Sequence, residues 1–282
     1  MLLALRLPEV EAGGNMNPVQ SEKVERFKKR VDFNAVVRME GTSQAVSTIW
    51  PEMVKAPGLN SGQWIVTADS TWLANGGVAR EWVLQRAGEQ IAIVIFVSRD
   101  GAGPAQNFLL TRATENTMHD SPFVNGPAGL GCLAVSMPPG AQPHLIWVFR
   151  NVCFDVRSFH AQVDVLEIAR WLQSAAERGV VGSEKARPTV PGALFVSSSQ
   201  TVVGVPVEIR VKAATHADES RFMIKLEYDR RAVEVVAMDR LSAQIRGRIA
   251  GHSTLELFLI DTATLLSEKR NIDLTFLPES QH

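Results

Sequence analysis

The sequence predicts an α+β N-terminal domain, an antiparallel sheet with packed helices, followed by an all-β antiparallel sandwich. Three observations carry that expectation. In the last third, Val207, Ile209 and Val211 interleave with Glu208, Arg210 and Lys212, and Ile272, Leu274 and Phe276 with Asp273 and Thr275. A period of two belongs to strands with one face on a core and the other toward water. Earlier, Val165, Ile168, Ala169, Leu172, Ala175 and Ala176 make an apolar stripe at helical spacing. Between the two patterns, residues 180–191 turn polar, with Gly182, Ser183, Glu184, Lys185, Arg187, Pro188 and Pro191, the composition of a linker. All six tryptophans precede it.

The expected layout is a loose segment over 1–18, an α+β domain over 19–180, a linker over 181–191 and a sandwich over 192–282. Within the first domain, Val24, Phe27 and Val31 lie on one face of a charged helix spanning 19–31. Residues 41–77 are broken up by Pro51, Pro57 and Gly58, and only Trp64–Thr67 reads as a strand there. Strands over 81–86 and 90–98 pair about Ala87-Gly88-Glu89, a hairpin-length turn. Pro104 opens a helix over 105–115. The Asn-, Pro- and Gly-rich stretch 116–131 reads as a long loop, followed by strands over 133–137, 145–149 and 152–157. The helix 164–178 stops at Gly179. In the sandwich, alternation places Leu226 and Leu257 on inner faces, and Lys225, Glu256, Phe258 and Ile260 on the opposite ones.

Composition bounds the function. The 282 residues are 45% hydrophobic and 21% charged, ordinary values for globular protein. A net charge of −1 supplies no broad positive field for nucleic acid. No apolar run approaches the ~20 residues of a membrane helix. Leu2-Leu3-Ala4-Leu5-Arg6-Leu7 is too short for a signal-peptide core and lacks a preceding basic region, and Met16 is an alternative start. Localisation is therefore open.

Chemistry-bearing residues are sparse. None of the six histidines is paired at i+4 with another, and G-x-S-x-G, H-E-x-x-H, P-loop and dinucleotide patterns are absent, so no cofactor and no metal is expected. His119 and Asp120 sit in the long loop, where they could form part of a ligand-binding site. Trp50 and Trp72 stand where a flat aromatic face could meet a ligand, while the other tryptophans read as core. Cys132 and Cys153 are either two small buried thiols or, if the strands bring them together, a disulfide.

The text from Trp82-Val83-Leu84-Gln85-Arg86 through Ile91–Val97, Ala105–Ala113, Gly129-Leu130-Gly131, Arg150-Asn151-Val152 and Val165–Leu172 resembles small α+β modules of bacterial envelope proteins. In such modules an acidic residue often follows the Gly-Leu-Gly segment, where Cys132 stands here. Val203-Gly204-Val205-Pro206-Val207, Leu226-Glu227-Tyr228-Asp229 and Val233-Glu234-Val235-Val236 are similar to a cohesin-type or immunoglobulin-like sandwich, with Arg230 in place of a proline after Tyr-Asp. These resemblances imply a cell-envelope or exported location and a protein partner. The expected function is therefore a non-enzymatic binding or assembly protein, with the sandwich as its adhesion or interaction module. Two alternatives stand beside it: an enzyme with a loop-built site near His119 and Asp120, and a small-ligand sensor with a cavity between the first sheet and helix 164–178.

Overall fold

A computed structural model describes residues 18–34, 64–115, 120–160, 163–178, 192–213 and 219–279. The linker 181–191, most of the loose N-terminal segment, Trp50 and His119 lie outside the described residues. The described chain is mostly antiparallel β-sheet. It carries three α-helices, α1 (Pro18–Arg30), α2 (Ala102–Thr114) and α3 (Val165–Arg178).

The first sheet has seven strands: β1 (Ile65–Ala74), β2 (Gly77–Arg86), β3 (Glu89–Ser98), β4 (Val124–Asn125), β5 (Leu133–Ser136), β6 (His144–Phe149) and β7 (Val152–Ser158). Their order is β1-β2-β3-β7-β6-β5-β4, every pair antiparallel. Central β3 reads Ile-Ala-Ile-Val-Ile-Phe-Val over 91–97 because both of its faces are covered. Ile91, Ile93, Ile95 and Val97 join α3 in one apolar cluster. Val94 and Phe96 join α1 and α2 in another, where Phe96 stacks on Phe108 at 4.5 Å between centroids. The space between sheet and α3 is filled by side chains. Trp147 stacks on Phe154 at 4.7 Å, and Trp147 Nε1–H donates to Gln173 Oε1 at 3.0 Å.

The hairpin β1–β2 turns through Asn75-Gly76, with Gly76 at φ 83° in the region that favours glycine. At Gly77 a Cβ would lie 2.2 Å from the Val97 carbonyl oxygen, so the close pairing of β2 with β3 requires glycine. The stretch read as ambiguous thus contains a full strand. Most of β1 is exposed, with no core-facing row to produce a period. The loop expected over 116–131 likewise contains β4, a two-residue strand on β5.

The second part forms two four-stranded sheets. One is ordered β12-β13-β10-β8, from β12 (Val233–Met238), β13 (Ser242–Gly247), β10 (Val207–Ala213) and β8 (Gly192–Val196). The other is ordered β11-β14-β15-β9, from β11 (Phe222–Glu227), β14 (Gly251–Asp261), β15 (Ser267–Leu277) and β9 (Gln200–Val202), the last parallel to β15. Both sheets contribute to one apolar cluster that includes Val207, Ile209, Ile224, Ile245, Leu257 and Leu274. Leu226 pairs directly with Leu257 across β11 and β14, as the alternation requires, although Leu226 is half-buried and Leu257 fully buried.

The outer face of β14 departs from expectation. Alternation alone turns Phe258 and Ile260 toward water, yet they are 3% and 0% exposed. Together with Leu265 and Leu266 they belong to the cluster that holds Val78, Trp82, Leu84 and α3. The Arg99 guanidinium lies 4.8 Å from the Phe258 ring centroid, and Arg80 donates to the Thr262 carbonyl. The β14–β15 hairpin therefore covers part of the first sheet's second face. Arg221 closes the hairpin end by pairing with the buried Asp261 carboxylate.

Candidate functional site

The most concentrated set of charged side chains lies on the α2 side of the first sheet. The β6–β7 hairpin sets His144 opposite Arg157 and Ile146 opposite Asp155, so His144, Asp155 and Arg157 share one face. The last turn of α2 brings Arg112 over them. Arg112 Nε–H donates to Asp155 Oδ2 at 2.7 Å. His144 Nε2 lies 2.7 Å from Asp155 Oδ1, with Nε2–H donating, since an ionised carboxylate accepts only. Phe123 meets the His144 ring edge-on at 4.8 Å. Arg157 donates to Glu81 at 3.0 Å beside this group.

Asp155 is fully buried. Burial alone would push its carboxyl up. The charges of Arg112 and His144, with the hydrogen bonds they donate, outweigh burial and hold it well below the usual carboxylate range. Arg112 is raised in turn, chiefly by Asp155. Cys153, two residues earlier on the same face, has its thiol pushed well up, first by burial and then by the Asp155 charge. A buried thiol held protonated is a poor nucleophile.

Of the sequence-predicted ligand-binding residues, Asp120 and Trp72 are described, and neither contacts Asp155; Trp50 and His119 lie outside the described residues. Asp120 is exposed and pairs with Arg26 of α1 at 2.8 Å, and Arg30 donates to the Ser121 carbonyl, so this end of the loop is tied to α1. Trp72 is half-buried against the cluster under α1 and α2, a packing position. No disulfide joins Cys132 and Cys153. Strand β6 runs between them: Cys132 N–H donates to the Val148 carbonyl, and Val148 pairs with Cys153 on the other side. Two strand spacings, about 9–10 Å, exceed the ~7 Å Cα limit of a disulfide.

Sequence reasoning passed over Asp155, His144 and Arg112. The available signal was an aspartate inside Val-Cys-Phe-Asp-Val, because an acid in a strand covered on both faces needs a charged partner. Chemically, an imidazole oriented by a carboxylate is half of a hydrolytic triad. Here the carboxylate is already neutralised by Arg112, and the nearby thiol is buried. The described residues hold no group of three or more His, Cys, Asp or Glu side chains placed to bind a metal ion. No helix of the described residues is long and apolar enough to cross a membrane.

A second feature lies on the sheet β12-β13-β10-β8. Both of its edge strands present large apolar side chains to water: Phe195 on β8 is 53% exposed, and Val236 and Met238 on β12 are 47% and 42% exposed. Neither strand carries the lysine or proline that commonly blunts an edge, although β12 has a register shift between Val235 and Ala237.

No protein-family model matches the chain, and no curated protein matches it. Among solved structures it is similar to a polysaccharide lyase at 7% identity and a TM-score of 0.24, over 80% of this chain. The chain spans 36% of that protein's length, and at this TM-score neither fold nor activity carries across.

Proposed function

We propose that this chain is a binding or assembly protein. In this reading an α+β domain supports an antiparallel sandwich of the cohesin or immunoglobulin type, and the sandwich contacts a protein partner. The observation that carries the reading is the pair of edge strands on one sheet with large apolar side chains exposed, Phe195 on β8 and Val236 with Met238 on β12. Edge strands offer unpaired backbone groups, and exposed apolar side chains beside them favour contact with another chain. The charged cluster at Asp155 supports the same reading from the other direction. Arg112 and His144 both donate to the Asp155 carboxylate within the fold, which is the pattern of a structural ion-pair network.

The test compares the full chain with a Val236→Asp/Met238→Asp variant, each immobilised and exposed to extract of the native source. The variant should keep its melting temperature, since both positions are exposed and surface changes fall within about 0.5 kcal/mol. It should lose partners that the wild type retains at stoichiometric amounts. The same retained set on both would contradict the reading.

A further inference from the structure

Resting on that reading, we infer that β12 accepts an extended acidic segment of another protein as an added strand. Strand β12 pairs with β13 on one side and is the end of its sheet on the other. Its outer row of backbone N–H and C=O groups is therefore matched by a peptide in extended conformation, the mode of strand addition. Six residues, Val233–Met238, offer an edge of roughly 20 Å at the ~3.3 Å rise of a strand. The register shift pushes Val236 out of the ladder, and with Met238 it supplies apolar contact for alternate side chains of the incoming strand.

Charge selects the partner class. Glu234 lies between two guanidiniums, 3.0 Å from Arg246 and 3.7 Å from Arg248. Exposed Arg231 at the start of the strand adds a third. Asp229 is engaged locally, accepting from the Arg231 backbone N–H. Over residues 229–240 with Arg246 and Arg248, the carboxylates Asp229, Glu234 and Asp239 stand against Arg230, Arg231, Arg240, Arg246 and Arg248, a basic margin of two along this edge, although the whole chain carries −1. A second copy of this chain fits poorly. Strand β12 itself carries Glu234 as its only charge, so pairing β12 with β12 would bring one carboxylate per copy together with a second set of the same arginines and no acidic excess. Strand β8 and its following turn, residues 192–200, contain no acid to offer in exchange.

The experiment measures fluorescence anisotropy of labelled peptides of about ten residues, alternating Val with Glu, with Ser or with Lys, against the full chain. The Glu peptide should bind about tenfold or more tightly than the Lys peptide, and its affinity should fall as salt rises. The Met238 N–H points away from β13, since Asp239 and Ser242 form the hydrogen-bonded pair next to Met238 and Ala243, so Met238→Pro removes one edge N–H and should abolish binding. Should that variant melt far below the wild type, Arg231→Glu with Arg248→Glu takes its place and should reverse the preference. Equal binding of all three peptides, lost on Met238→Pro, overturns the acidic class and leaves the edge as a binding surface. Absence of binding by every peptide overturns strand addition, while the edge-dependent partner retention described above would still stand. A dimer of the full chain in light scattering that Met238→Pro converts to monomer overturns it in favour of a second copy.

Discussion

Replacing Asp155 by Ala is expected to cost on the order of 3–5 kcal/mol, because it leaves a buried guanidinium with no counter-charge. The Asp155 side chain is 0% exposed and that of Arg112 only 9%, so neither solvent nor salt can take over the missing partner. The loss should appear in denaturant unfolding as a lower midpoint at unchanged slope. Adding Arg112→Met to Asp155→Asn should recover most of it, since removing both charges removes the desolvation cost with them. The pH dependence follows from the lowered carboxyl. The folded Asp155 holds its proton less tightly than the unfolded chain, so its contribution is fully present above the ordinary aspartate value of about 4. As pH falls below that value the unfolded state takes up a proton that the folded state does not, and the contribution is lost. The wild type should therefore lose its advantage over the Asp155→Asn variant on acidification. An advantage that stays constant down to pH values well below 4 would show that folding does not lower the Asp155 carboxyl.

Phe258→Ala is expected to cost about 3–5 kcal/mol, the range for truncating a buried phenylalanine. If the alternation of β14 meant that one face is dry and the other wet, the change would be nearly neutral. Phe258 instead lies within the cluster that contains Trp82, Ile260 and Leu266, with Arg99 against its ring. Truncation would open a cavity between the β14–β15 hairpin and the first sheet. A cost below about 0.5 kcal/mol, the ordinary surface range, would mean that this face of β14 is open to water.

How much of this was legible in the sequence depends on what each residue reports. Elements with a strong period were placed within a few residues: α3 by its stripe from Val165 to Ala176, and β10, β11 and β15 by alternation. Strand β1 was mostly missed because it lies at an edge with its first six residues exposed, where burial imposes no pattern. The Asn75-Gly76 dipeptide was the signal that could have found it. On β14, the run Leu-Glu-Leu-Phe-Leu-Ile over 255–260 carries two apolar residues on the face assigned to water. That excess was the sign of a third layer, but identifying what covers it takes long-range placement that local sequence does not encode. The ion-pair network has the same origin, since Arg112 and Asp155 are 43 residues apart. Trp72 and Asp120, read from their expected loop and exposed positions as possible ligand contacts, lie respectively half-buried against a core cluster and paired with Arg26 of α1.

The most direct test of where this protein does its work is site-specific photo-crosslinking in the native source. A photoreactive phenylalanine analogue is placed in turn at Phe195, at Met238 and at Pro122, which is exposed and adjoins Phe123, whose ring meets His144 edge-on. The first two positions report the edges of the sheet β12-β13-β10-β8, and the third reports the charged cluster. The account predicts discrete protein adducts from Phe195 and Met238 and none from Pro122. Adducts from Pro122 with none from the two edge positions would contradict it, and would place the functional surface over the charged cluster instead.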